Sequence, residues 1–200
     1  MPTDHYFSPQ PEARGRRYTF TATLRGHAFT FVTGAGVFSR SHVDAGTRLL
    51  IEHMPVHASD RFLDLGCGYG VVGVVAARLA HQGQVTMVDI NQRAIELARE
   101  NLRLNRITNA EAKQGDGFGP VAGEVFGVIA LNPPIRAGLP VVHALIEQAG
   151  HHLSPGGRFY LVARTRQGAL RLAEKMREVI GNVEEVARGG GYRVFVSRRG

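Results

Sequence analysis

Residues 61–89 read RFLDLGCGYGVVGVVAARLAHQGQVTMVD. A short apolar run over 61–65 meets a glycine-rich turn. An apolar stretch over 70–80 opens on Gly70, and a second apolar run covers 84–90. Two short apolar runs separated by a longer helical stretch form a β-α-β unit, because parallel neighbours need a crossover of about a dozen residues or more. Everything else is read outward from this unit.

Downstream, 91–105 is amphipathic, with Ala94, Ile95, Ala98 and Leu102 near one helical face. A strand over 125–131, a helix over 139–153 closed by Ser154-Pro155-Gly156-Gly157, a strand over 158–164 and a helix over 168–181 follow. Two strand-like runs, 182–188 and 192–198, then flank Gly189-Gly190-Gly191 as in a hairpin. Upstream, 18–24 and 27–32 alternate around Arg25-Gly26, a second hairpin. A helix over 43–54 ends at Pro55, and the first 17 residues read as a polar arm. Alternating strands and helices predict a doubly wound α/β sheet with one antiparallel strand near the end. Residues 1–54 (arm, hairpin and helix) are expected to pack on a single unit, 55–200.

With 44% hydrophobic residues in 200, the chain can bury a full core without staples. A single cysteine, Cys67, excludes an intrachain disulfide and a cysteine-rich metal cluster. No secretory leader and no membrane span is read, so the expected address is the cytoplasm. The net charge of +7 is uneven: +1 over 1–60, 0 over 61–150 and +6 over 151–200. All but Lys113 and Lys175 of the basic residues are arginine. That bias can follow from genome composition, or from a surface facing phosphates, which guanidinium forks match.

Between the first strand of the unit and its helix lies Asp64-Leu65-Gly66-Cys67-Gly68-Tyr69-Gly70. Ligands of open α/β sheets bind beyond the carboxyl ends of the strands. Glycines there let a ligand approach the backbone, and a helix start offers unpaired N–H groups. Asp89, nineteen residues after Gly70, ends the next strand, where a carboxylate can accept both hydroxyls of a ribose. Gly73 can serve close packing of helix on strand. Asp64 would repel a pyrophosphate but suits a ligand carrying an ammonium group.

Four segments in order, "FLDLGCGYG" (62–70), "VDIN" (88–91), "GDGF" (115–118) and "NPPI" (132–135), resemble the motifs of class I S-adenosylmethionine-dependent methyltransferases. The resemblance covers about residues 30–200. It implies a Rossmann-like doubly wound seven-stranded sheet with an antiparallel last strand, S-adenosylmethionine as cofactor and S-adenosylhomocysteine as product. It places Asp64, Gly66, Cys67, Gly68 and Gly70 in the cofactor loop, Asp89 and Ile90 at the ribose, Asp116 and Gly117 at the adenine, and Asn132 facing the cofactor. The upstream segment 23–52, "TLRGHAFTFVTGAGVFSRSHVDAGTRLLIE", is similar to the start of the catalytic domain of RsmC-type ribosomal RNA small-subunit guanine-N2 methyltransferases and their compact stand-alone relatives. By that resemblance Phe38 walls the cofactor pocket and Thr47 lies near the methionine part. From the residues alone, the same positions fit a turn, a core aromatic and a helix start, and Asp44 fits an acid in a first turn. No counterpart of the longer enzymes' duplicated N-terminal half is recognised.

Methyl transfer from a sulfonium is an in-line displacement, so the enzyme must align the acceptor lone pair. The amine of a nucleobase is a poor nucleophile because its lone pair is delocalised into the ring. Acceptors on its N–H groups orient it and favour a more pyramidal nitrogen. Asn132 can supply one through its side-chain oxygen, and Pro133 another through its carbonyl. Pro133 and Pro134 have no competing N–H, and their fixed φ keeps the loop aimed. Ile135 and Arg136 then face the substrate, although Arg136 also fits a solvated loop charge. Adenine and glutamine methyltransferases with this motif usually carry an aromatic where Ile135 stands, which counts against those acceptors.

Cys67, inside the cofactor loop, is badly placed for attack on a cytosine ring and reads as a small filler. No histidine pattern predicts a metal. The expected function is methylation of an exocyclic amine, guanine N2 in ribosomal RNA, on a flipped or unpaired base. The basic last quarter and the arginines of the arm would hold phosphates. The alternatives are methylation of adenine N6 or of a protein or small-molecule amine, a non-catalytic nucleic-acid-binding protein, and a nicotinamide-dependent oxidoreductase.

Overall fold

Two strands, β1 (Arg17–Leu24) and β2 (His27–Gly34), pair antiparallel at the start of the structure, a computed structural model that describes residues 17–34 and 42–200. They turn through Arg25 and Gly26, both at positive φ (49° and 77°), the geometry that matches the twist of a tight hairpin. Seven further strands form one sheet: β3 (Arg61–Leu65), β4 (Gln84–Asp89), β5 (Ala110–Gln114), β6 (Phe126–Leu131), β7 (Leu153–Arg164), β8 (Glu184–Gly189) and β9 (Tyr192–Arg198). Their order is β5-β4-β3-β6-β7-β9-β8. Only β9 runs against its neighbours. The helices are α1 (Ala45–His53), α2 (Val71–Leu79), α3 (Gln92–Leu104), α4 (Leu139–His152) and α5 (Ala169–Ile180).

The strand pleat sorts the core into two layers. Phe62, Val85, Met87, Val128, Ala130, Tyr160, Val162 and Val194 point to one face, covered by α1, α2, α3 and the hairpin. Leu63, Val88, Ile129, Leu131, Phe159 and Leu161 point to the other, covered by α4 and α5. The hairpin is fastened to α3 by two asparagines one turn apart. Asn101 accepts from the Val32 N–H (2.7 Å) and donates to the Val32 carbonyl (2.9 Å). Asn105 does the same to Thr30 (3.0 and 2.8 Å). An i, i+4 step along a helix nearly matches an i, i+2 step along a strand, so the two amides stand in for a third strand.

Two local readings change. The run Ser154–Gly157 is expected to stop a helix that reaches 153, yet β7 begins at Leu153, which pairs with Phe126. The Gly156 N–H donates to the Arg199 carbonyl, and the Gly157 carbonyl accepts from the Arg199 N–H. Those strand-like bonds are long-range and leave no local signal. The seventh strand, β5, is the segment AEAKQ, in which only Ala112 is buried. An edge strand with so little apolar content has no period to detect. Among the described residues, no helix is long and apolar enough to cross a membrane.

Candidate active site

The chain leaves β3 for β4 and β5 on one side and returns to β6 on the other, so the switch point lies between β3 and β6. Leu65 is in register with Val88 of β4 and Leu131 of β6. The next residues, Gly66, Asp89 and Asn132, therefore share one level at the carboxyl end of three adjacent strands. The two-residue alternation puts Asp64, Asp89 and Asn132 on the same face, that of α1 and α2. Asp89 and Asn132 are two strand spacings apart, about 10 Å.

The loop after β3 is built on positive φ: Gly66 at 69°, Gly68 at 57° and Gly70 at 91°. A side chain at these angles would be strained. The Gly66 and Cys67 N–H groups donate to the Val88 carbonyl (2.8 and 3.0 Å), tying the loop to β4. A Cβ on Gly66 would meet nothing within 4 Å, so its outer side is open. Asp89 is buried and fastens the neighbouring turns: Oδ2 accepts from the Gly68 N–H (2.8 Å), Oδ1 from the Asn91 N–H (2.9 Å). Asn91, not singled out from sequence, caps α3 by accepting from the Arg93 N–H (3.0 Å). Ile90 follows at the rim, its carbonyl accepting from Gln114.

Asp64 reaches under the loop to α2. This helix starts at Gly70, which has no side chain to cap it, and Asp64 Oδ2 accepts from the Gly73 N–H at 2.8 Å. Burial pushes the Asp64 carboxyl up to about 7; the Gly73 bond opposes this, and the charge of Asp89 adds to it. Burial, reinforced by both carboxylates, also pushes the Cys67 thiol well up. Its sulfur lies 3.5 Å from the Gly68 carbonyl, so the thiol is an inert part of the loop. Gly73 has the packing role left open above: its Cβ would lie 2.2 Å from Met87 Sδ.

The turn after β5 joins the same end. The Gly115 N–H donates to the Asp89 carbonyl (3.0 Å), Asp116 is exposed, and Gly117 turns at φ 51°. Phe118 anchors this turn in the opposite face, stacked on His152 at 4.5 Å.

Beyond β6, Pro133 is buried, and Pro134 and Ile135 are half-buried. The Pro133 carbonyl, expected to be open toward an acceptor amine, already accepts from the Ile135 N–H (2.8 Å), leaving it one lone pair. The Pro134 carbonyl accepts from the Ala137 N–H (2.8 Å). Asn132 is not left to its loop. Its Nδ2 donates to Thr47 Oγ1 at 3.0 Å, which fixes the amide plane and turns Oδ1 away from α1. Thr47 lies in the first turn of α1, capped by Asp44, whose Oδ1 accepts from the Gly46 and Thr47 N–H groups (3.0 and 3.1 Å). Behind it, Tyr192 of β9 packs so closely that a Cβ on Gly46 would lie 2.5 Å from its ring. Tyr192 in turn accepts from Arg164 Nε (2.8 Å), whose guanidinium lies over its ring.

The structure thus gathers Thr47, Asp64, Gly66, Cys67, Gly68, Gly70, Asp89, Ile90, Asp116, Gly117 and the 132–135 turn at one end of the sheet. Phe38 and the side chain of Arg136 lie outside the described residues. Among the described residues, no three His, Cys, Asp or Glu side chains cluster as a metal site.

Residues 28–196 match the family model described as methyltransferase small domain. An uncharacterised protein of Bacillus subtilis is 38% identical over 199 residues, spanning 98% of this chain and 99% of its own. Ribosomal RNA small subunit methyltransferase C of Pseudomonas entomophila is 34% identical over 90% of this chain but 54% of its own length. Among solved structures, a T. thermophilus 16S rRNA N2 methyltransferase, RsmC, in complex with AdoMet and guanosine, aligns with TM-score 0.83 and 27% identity. It covers 95% of this chain and 52% of that one. The chain therefore spans about half the length of these two rRNA methyltransferases.

Proposed function

The chain belongs to the methyltransferase small domain family, and on that footing we propose that it transfers a methyl group from S-adenosylmethionine to the exocyclic N2 amine of a guanine in ribosomal RNA. The observation that carries this reading is the common level and face of Asp89 and Asn132, with the Asn132 amide fixed by Thr47. The RsmC relative was solved with AdoMet and guanosine, the cofactor and the nucleoside that this reading assigns.

The residues present suit the cofactor. Gly66 leaves open space beside the loop, and Asp64 is a buried carboxyl with no cation beside it among the described residues. A ligand ammonium there would favour the ionised form. Asp89 would take the ribose, Ile90 one side of the base, and Asp116 and Gly117 the adenine edge. Thr47 keeps a hydroxyl proton that can donate toward the methionine end, while its oxygen accepts from Asn132. Phe38 would close the pocket. When bound, S-adenosylmethionine supplies an electrophilic methyl carbon on a positive sulfur.

Asn132 Oδ1 accepts one N–H of the acceptor amine, and the remaining Pro133 lone pair accepts the other. Pro134 stiffens the turn and Ile135 packs on the base; Arg136 is the candidate for a further contact with the nucleotide. Two acceptors on the N–H groups hold the amine lone pair toward the methyl group. They also stabilise the positive charge that the nitrogen gains as the N–C bond forms and the C–S pair returns to sulfur. The nitrogen then loses one proton to water. RNA is the partner, with the target base flipped or unpaired.

The test is incubation with labelled methyl donor and RNA or protein from a deletion strain, followed by nucleoside mass analysis. N2-methylguanosine is the expected product. Label in adenine N6 or in protein overturns the guanine assignment and retains the transferase.

A further inference from the structure

The charge excess of the last quarter divides in two once the side chains are placed. Of ten basic residues in 151–200, Arg158, Lys175, Arg188, Arg193 and Arg198 form ion pairs with acids. Their charge is locally answered. The other five are exposed and form no ion pair with any described residue: Arg177 stands at the far end of α5, Arg199 donates to the Leu153 carbonyl, and Arg164, Arg166 and Arg171 remain. These three are close in sequence and lie at one place in the fold, the end of β7, the turn Thr165–Gln167 and the first turn of α5.

That place is the acceptor side of the site. The cofactor motifs follow β3, β4 and β5, to one side of Asn132, whereas β7 is its neighbour on the other. The same rim is also unusually apolar. Of four exposed large hydrophobics among the described residues, Val141 (43% exposed) is in the first turn of α4 and Leu170 (52%) in the first turn of α5. Both helices start at the carboxyl end of the sheet, beside the 132–135 turn. Unanswered guanidinium groups and an exposed aliphatic side chain within eight residues suit a polyanion that also presents flat apolar faces.

We infer that Arg164, Arg166 and Arg171, with Leu170 between the last two, form a landing surface for the single-stranded RNA that flanks the acceptor base. The guanidinium groups of Arg166 and Arg171 take phosphates, Leu170 packs on an adjoining base, and Arg164 presents its outer edge while stacked on Tyr192 at 4.6 Å. This rests on RNA being the substrate, and it replaces a diffuse basic quarter with one ledge.

The experiment compares wild-type protein with Arg166→Gln/Arg171→Gln and with Arg177→Gln, using deproteinised small-subunit ribosomal RNA as the probe. Arg177 is exposed in the last turn of α5, at the far end of the helix, and controls for net charge. Binding is read against salt concentration, transfer as kcat and KM for RNA, and S-adenosylhomocysteine affinity as a check on the fold. Each lost phosphate contact lowers the log–log salt slope by about 0.7 on single-stranded RNA. The double variant should therefore lose about 1.4 in slope and raise KM about tenfold or more, with kcat and cofactor affinity near wild type. Arg177→Gln should leave the slope unchanged. If the double variant keeps the wild-type slope and KM, or if Arg177→Gln loses as much slope per charge, the ledge is overturned while the RNA methyltransferase stands. If wild-type protein labels no RNA and labels protein instead, the substrate reading itself falls.

Discussion

Asn132 donates from Nδ2 to Thr47 Oγ1 at 3.0 Å, joining the turn after β6 to the first turn of α1. The bond decides which way the amide oxygen faces, and that oxygen is the group proposed to aim the acceptor. Thr47→Val keeps the shape and removes the partner. Transfer at saturating substrate should fall about tenfold, the worth of one neutral hydrogen bond, and Thr47→Ser should recover most of it. Asn132→Ala should cost about 10²–10³-fold in kcat, with S-adenosylhomocysteine affinity within about threefold. Single-turnover transfer and titration calorimetry separate the two. Loss of affinity with an intact rate would make Thr47 a cofactor contact alone.

Asp89 has two tasks that one substitution should reveal together. Asp89→Ala removes the proposed ribose acceptor and leaves the Gly68 and Asn91 N–H groups without their carboxylate. Cofactor affinity should drop more than tenfold, and unfolding by urea should show a loss of about 1–3 kcal/mol. An unchanged affinity in a destabilised protein would reduce Asp89 to a structural brace.

Asp64 makes both stability and ligand binding depend on pH. Its carboxyl is raised from the ordinary 3.8 to about 7 in the folded protein. Between those values the folded state binds more protons than the unfolded one, so this group's contribution to stability declines as pH rises toward 7. A ligand ammonium works the other way, because it favours the carboxylate. Cofactor affinity should climb as pH rises through about 7, with proton release on binding below it. Calorimetry in buffers of different ionisation enthalpy reads that release, and Asp64→Asn should abolish it.

Gly73 is where helix α2 touches strand β4. An added methyl would fall 2.2 Å from Met87 Sδ and 3.2 Å from Asp64 Oδ2. Gly73→Ala should therefore destabilise by about 1–3 kcal/mol and weaken cofactor binding by displacing Asp64. Combined with Met87→Ala, the loss should be smaller than the sum of the single losses, as urea denaturation would show.

Much of this is legible in the sequence because the signals are local. The turn at Arg25-Gly26, the stop at Gly181 and the glycine loop all rest on backbone conformations that few residues can adopt. Phe62, Met87 and Val128 announce buried strands by composition. What stays hidden depends on partners far along the chain. Thr47 is picked out by the family resemblance alone, and its bond to Asn132, 85 positions away, leaves no local signal. Asn101 and Asn105 look like solvated polar residues on α3, yet they are buried against β2. The ion pairs that neutralise half of the basic last quarter are equally invisible to a count of charges.

The contact between Tyr192 and Gly46 makes an early helix of this chain depend on a late strand. A growing polypeptide released up to residue 191 would carry all four cofactor and acceptor motifs, yet the ring that backs Thr47 would still be missing. Competence should then switch on only once β9 has emerged, rather than accumulate as each motif does. Closing a loop of such length is slow, so a newly made molecule would stay inactive until β9 had met α1.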